Sequence, residues 1–128
     1  MNDYKVYIEK AKKAMVNSYS PYSKFSVGAC VIGDSGKYYT GTNIENVSYG
    51  ATVCAERVAV FQAISSGERV IKDIYIISDS SKFIYPCGIC RQVIDEFASL
   101  KTKIICANSE MKYEVYQIND LLPCAFNL

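Results

Sequence analysis

Ile71-Lys72-Asp73-Ile74-Tyr75-Ile76-Ile77-Ser78 decides the fold. An isoleucine-rich run of this length suits a strand buried on both faces, and such strands sit inside sheets covered by helices. Working outward, Val53 to Ser65 reads as a helix that stops near Gly67, and Gly88 to about Ala98 reads as another. Strand, helix, strand, helix, strand through the middle of the chain predicts right-handed crossovers with parallel pairing there.

Ser26 to Ile32 and Tyr38 to Ile44 read as strands joined through Gly33-Asp34-Ser35-Gly36, and Lys103 to Ala107 and Tyr113 to Ile118 as strands joined through Asn108-Ser109-Glu110-Met111. Both connections are short enough for antiparallel hairpins. Asp3 to about Ser18 sets Val6, Ile8, Ala11 and Met15 against Lys5, Glu9, Lys12 and Lys13, an opening amphipathic helix. The expected fold is α/β, a mixed five-stranded sheet with helices on both faces, forming one domain over residues 1–128.

Bulk properties agree with that size and narrow the function. Half of the 128 residues are hydrophobic and 21% are charged, as in a globular domain. Fourteen basic against thirteen acidic residues leave a net charge of +1, too little to reward a phosphate backbone, so nucleic acid is not an expected partner. No stretch reaches the roughly 18 apolar residues of a membrane helix, and the start has no apolar signal region, so a cytoplasmic protein is expected. Six cysteines in such a setting remain reduced, and a Cys-x-x-Cys spacing among them favours metal over disulfides. Cys30, Cys106 and Cys124, in apolar surroundings, read as small structural hydrophobes.

The chemistry lies in Cys54-Ala55-Glu56 and, about thirty residues on, Pro86-Cys87-Gly88-Ile89-Cys90. Structural zinc is closed by four protein ligands, whereas hydrolytic zinc keeps one position open. Cys54, Cys87 and Cys90 supply three thiolates to one Zn²⁺, leave a fourth position for water, and put the Glu56 carboxylate two residues from a ligand, where it can manage that water's protons. With no histidine in the chain and no paired spacing among the other cysteines, a fourth protein ligand is not expected. Pro86 suits a helix start, Gly88 permits tight turning, and thiolates at helix N-termini are favoured by the exposed N–H groups. Three thiolates leave the site net negative, so Arg57 is expected to offset that charge through hydrogen bonds to sulfur, with Arg91 and Gln92 as weaker candidates.

This arrangement is the zinc deaminase signature in a three-cysteine form. Together with Pro21-Tyr22-Ser23-Lys24-Phe25, Asn43-Ile44-Glu45-Asn46, Tyr49, Cys54-Ala55-Glu56-Arg57, Pro86-Cys87-Gly88-Ile89-Cys90-Arg91-Gln92 and Leu121-Leu122-Pro123, it resembles the short, homotetrameric class of cytidine deaminases over nearly the whole chain. The resemblance implies hydrolytic deamination of cytidine and deoxycytidine to uridine and deoxyuridine with release of ammonia, in pyrimidine salvage, with one zinc ion per subunit. Glu56 would carry protons to N3 and to the departing amino group, and Ala55 would contribute backbone contacts to the base. Asn43 and Glu45, alternating at a strand end, would hold the ribose hydroxyls, and Phe25 would pack on the pyrimidine ring. Tyr49 and Phe126 correspond to residues that approach a neighbouring subunit's site.

Three rivals remain at this point. A deaminase of another aminopyrimidine nucleoside, such as a blasticidin-type antibiotic, shares the chemistry. A nucleic-acid editing deaminase is opposed by the near-neutral charge, and a non-catalytic zinc-binding interaction module requires a closed, four-ligand site.

Overall fold

In the computed structural model, residues 3–128 are described. Helix α1 (Tyr4–Met15) leads to β1 (Val27–Gly33) and β2 (Tyr38–Thr42). A 3₁₀ turn (Tyr49–Ala51) precedes α2 (Ala55–Ser65), followed by β3 (Ile71–Ser78), α3 (Gly88–Phe97), β4 (Ala98–Ala107), β5 (Tyr113–Gln117) and a short α4 (Ile118–Leu121).

The five strands form one sheet in the order β2-β1-β3-β4-β5. Pairing is antiparallel for β1 with β2, β1 with β3 and β4 with β5, and parallel for β3 with β4. Both hairpins form as their turns predict. The expected parallel pairing through the middle of the chain holds for β3 and β4 only. β2 and β3 point the same way, but β1 lies between them and pairs with both, so the α2 crossover spans a strand. Periodicity identifies strands, but a hairpin partner already occupying the edge of β3 is a tertiary fact.

Every residue of β1 is buried, as a strand covered on both faces must be. Side chains alternate between two cores. Ala29, Val31, Ile74, Ile76, Ile104 and Cys106 face α2 and α3, whereas Cys30, Ile32, Tyr75, Ile77, Ile105 and Ala107 face α1. Each fully buried isoleucine contributes about 1.5–3 kcal/mol relative to exposure. Close approach needs glycine at two places. A Cβ on Gly28 would collide with the Ala11 carbonyl of α1, and one on Gly41 would stand 2.6 Å from the Ala59 nitrogen of α2. The second contact seats the helix that carries Glu56.

Strand β4 starts five residues earlier than the expected Lys103. Ala98 pairs with Ile71, then the register shifts so that Asp73 pairs with Lys103. Buried Thr102 stabilises the irregularity, accepting from Ser99 N (2.8 Å) and donating to the Ile71 carbonyl (2.5 Å). No regular alternation marks such a stretch. Helix α4, absent from the sequence reading, is closed by a capping box in which Gln117 N donates to Asp120 Oδ2 at 2.8 Å. Among the described residues, no helix is long and apolar enough to cross a membrane.

Candidate metal centre and active site

Because β2 and β3 run in the same direction, the helices that follow them begin at the same end of the sheet. Cys54 is the residue before α2 and Cys87 the residue before α3, both extended, and Cys90 is in the first turn of α3. An Ile44–Val53 bridge returns the chain to the start of α2. The three Sγ atoms lie within 4.8 Å of one another. Cys54 and Cys87 sulfurs are 3.8 Å apart. Two thiolates at 2.3 Å from one tetrahedral ion stand about 3.8 Å apart, so the spacing fits zinc. All six cysteines are free.

The surroundings of the sulfurs favour negative charge. Arg57 Nη2 donates to Cys54 Sγ at 3.5 Å, while its buried Nε has no partner. A hydrogen bond from Cys90, together with Arg57 and Cys87, brings the Cys54 thiol down to about 5 against the cost of burial. Cys90 is displaced upward, first because it donates that hydrogen bond and then because it is buried. The pair thus favours negative charge on Cys54 with Cys90 as its donor, and a bound cation would displace the thiol protons of the cluster.

Glu56 follows in the first turn of α2 and is 5% exposed. Burial pushes its carboxyl up to about 7 and the Cys54 thiolate adds to the rise, while its own backbone N–H and Arg57 pull the other way. Among the described residues no other side chain donates a hydrogen bond to it. Its protonation is thus poised near neutrality, the range in which a general acid and base works best.

These groups close one end of a cavity of about 250 Å³, reached by Cys54, Glu56 and Cys87. Phe25, Ala55, Ile84 and Tyr85 line it as well, and Ser23, Asn43 and Glu45 mark a polar end. Seven of the expected site residues thus share one cavity, with Cys90 joined through the thiol cluster and Arg57 behind it. A larger cavity, about 780 Å³, lies at the other end of the sheet among Tyr4, Tyr75 and Lys103 and contains none of this chemistry.

The polar end is already ordered. Asn43 Oδ1 accepts from Val27 N (3.0 Å) and Ser18 Oγ (2.5 Å), and Nδ2 donates to the Phe25 carbonyl at 2.8 Å. The Glu45 carboxylate accepts from Tyr22 N (3.0 Å), Ser23 N (3.1 Å) and the Ser23 hydroxyl. The Ser23 hydroxyl, ahead of the two backbone donors and Lys24, holds the Glu45 carboxyl below its ordinary range. β2 stops at Thr42, so the alternation of Asn43 and Glu45 is carried by the bridges Ile44 makes to Tyr19 and Val53.

Tyr49 and Phe126 do not line the Glu56 cavity of their own chain. Tyr49 is 79% exposed, stacks edge-on against Tyr22 at 6.3 Å and lines a neighbouring hollow that shares Glu45, and Phe126 is 71% exposed. Four expectations need correction. Arg91 touches no sulfur, because its Nε donates to the Pro86 carbonyl (2.6 Å) and its Nη1 to the Leu121 carbonyl (2.7 Å). Gln92 Nε2 likewise donates to the Phe126 carbonyl at 3.0 Å. Cys30 and Cys106 are buried as expected, but Cys124 is exposed, at a φ of 54° in the turn after α4. Gly88 keeps a negative φ with open space where a Cβ would stand, so tight turning is not its contribution. Sequence reasoning missed Ile84 and Tyr85, whose one signal is their place beside Pro86-Cys87.

A family model, the cytidine and deoxycytidylate deaminase zinc-binding region, matches residues 1–107. Curated cytidine deaminases from Sporosarcina psychrophila and Halalkalibacterium halodurans are 42% and 40% identical to the chain. The matches cover 98% and 97% of this chain and 92% and 94% of theirs. The crystal structure of a cytidine deaminase from Burkholderia pseudomallei superposes with a TM-score of 0.92 at 39% identity, covering 98% of this chain and all of that one. The Mycobacterium tuberculosis cytidine deaminase superposes at 0.86 and 35%, with full coverage of both.

Proposed function

The chain belongs to the cytidine and deoxycytidylate deaminase family, and we infer from this premise that it is a zinc-dependent hydrolase converting cytidine to uridine with release of ammonia. The observation that carries the reading is a buried carboxyl, Glu56, beside three thiols spaced for one tetrahedral ion in a nucleoside-sized cavity. Cys54, Cys87 and Cys90 would hold one zinc ion, which would supply Lewis acidity toward the attacking water.

The chain's own residues supply the rest. Glu56 takes a proton from the water that adds to C4 and hands it to N3, then takes the proton of the new C4 hydroxyl and delivers it to the amine as C4=O forms and the C4–N bond breaks, a double duty served by a carboxyl poised near 7. Phe25 covers the ring and the Ala55 backbone meets its edge. A carboxylate offers about four lone-pair sites, and Glu45 has three donors in place, so one remains for a ribose hydroxyl. Asn43 keeps one amide hydrogen beyond that given to Phe25 for the same sugar. Deoxycytidine fits the same groups, and the reaction has its place in pyrimidine salvage.

Our reading includes a homotetramer whose sites are completed by neighbours. Its support is the exposure of three large apolar side chains, Tyr49, Ile89 (62%) and Phe126, which no core of their own chain covers. It also includes a cytoplasmic setting, supported by six free thiols. No observation favours a closed zinc module, since the ligand cluster among the described residues stops at three cysteines.

Zinc content and cytidine turnover measured on one preparation test the function. One zinc per chain with turnover is expected, and zinc without turnover would replace the enzyme by a binding module. For the assembly, Phe126→Ala should weaken substrate use while keeping zinc, and mixing it with Glu56→Ala protein should restore activity if subunits exchange. A fully active monomer in sedimentation would remove the shared site.

A further inference from the structure

Between Ser78 and Gly88 the chain has no helix or strand, yet it delivers Ile84, Tyr85 and Cys87 to the cavity. Such a segment is ordered only by what holds it. One anchor is Arg91 on the Pro86 carbonyl. A second lies on β5, beyond the residues matched by the family model. The Tyr85 hydroxyl donates to Glu114 Oε1 at 2.7 Å, and the Tyr116 hydroxyl donates to the same oxygen at 2.8 Å. The two rings meet edge to face, centroids 5.8 Å apart.

The register explains the meeting. Glu114 and Tyr116 are two apart on β5 and so share a sheet face, and Glu114 is paired with Cys106, whose side chain belongs to the core beneath α2 and α3. Tyr116 packs against that same core. An edge strand thereby reaches under the metal-bearing loop. Hydrogen bonds of two phenols to one carboxylate oxygen are charge-assisted.

We propose that Glu114 is a positioning residue for the deaminase site: acting through Tyr85, and braced by Tyr116, it fixes the wall of the nucleoside cavity next to Cys87. This rests on the cytidine deaminase reading above and extends it to a part of the chain with no assigned role. A fixed wall meets substrate and transition state alike, so its loss raises KM and leaves kcat nearly as it was. A contact that only braced the fold would lower the melting temperature without moving KM.

The experiment compares wild type with Tyr85→Phe, Glu114→Ala, Glu114→Gln and the Tyr85→Phe/Glu114→Ala pair, measuring zinc content, melting temperature, KM and kcat for cytidine. Tyr85→Phe and Glu114→Ala should each raise KM by roughly three- to tenfold, the range of one lost hydrogen bond, with zinc retained at one per chain. The pair should be no worse than the poorer single variant, because the two residues act through one contact. Glu114→Gln, which keeps an acceptor, should recover part of the loss. Glu110→Ala, on the same hairpin and ion-paired among the described residues with Lys112 alone, at 3.7 Å, should change nothing. Unchanged KM in both single variants, or additive effects in the pair, would overturn the proposal. Should Glu114→Ala fail to fold, Tyr85→Phe, which removes a single oxygen, answers alone. A wild-type chain with no turnover would remove the enzyme reading itself, whereas an active wild type with unaltered variants removes only the role of Glu114.

Discussion

The two ends of α2 carry two buried glutamates with opposite fates. Glu56, in the first turn, is 5% exposed, and Glu68, just past the last turn, is 8% exposed. Glu68 accepts hydrogen bonds from Ser35 N at 3.2 Å, the Ser35 hydroxyl and the Tyr39 hydroxyl at 2.8 Å, and these donors, Ser35 first, hold its carboxyl below the ordinary range. Among the described residues Glu56 has no side-chain donor, only its own backbone N–H, and is pushed up to about 7 by burial. Burial alone therefore does not mark a functional acid. A satisfied carboxylate pins the β1–β2 turn to the end of the helix, whereas an unsatisfied one beside metal ligands is free to exchange protons.

The largest effects should come from the sulfurs around Glu56. Cys54→Ala, Cys87→Ala and Cys90→Ala should each abolish zinc binding, and with it turnover, by more than the roughly 10²- to 10⁴-fold that acid and base catalysis alone contributes. Cys30→Ala and Cys106→Ala should keep zinc. Metal analysis of the five purified variants checks this, and a zinc-free Cys106→Ala would mean that the ligand set is wrong.

A smaller effect tests the cavity's polar end. Free cytosine lacks the sugar that Asn43 and Glu45 are proposed to hold, so its kcat/KM should fall at least about 10²-fold below that of cytidine. Comparable efficiency on both would remove the ribose role of these two residues.

The smallest effect belongs to Glu68. Glu68→Gln should leave kcat and KM for cytidine unaltered and lower the melting temperature. A depressed folded pKa contributes stability that is present above the unfolded value and lost as pH falls through the folded one. The gap in melting temperature between wild type and variant should accordingly narrow as pH falls below about 4.3, the ordinary glutamate value. A gap that widens on acidification would reverse the contrast between the two ends of α2.

The sequence made the Glu56 end legible because its groups are close in the chain: Cys54, Glu56 and Arg57 sit within four residues, and Cys87 and Cys90 share one turn. β3 was legible because burial on both faces leaves the continuous apolar run Ile74–Ile77. What depended on distant partners was not. The placement of β1 between β2 and β3, the bulged start of β4 and the departure of Arg91 to Leu121 are set by tertiary pairing, which no local pattern records. Tyr85 is the sharpest example, since its role is visible only when Glu114, 29 residues away, is seen beneath it.

In the proposed reaction Glu56 moves the protons while the three cysteines hold the metal. Glu56→Gln, assayed for zinc content and cytidine turnover on the same sample, tests it most directly. The variant should retain one zinc per chain and the wild-type fold while losing turnover by roughly 10²- to 10⁴-fold or more. Turnover near the wild-type rate with zinc still bound would contradict it.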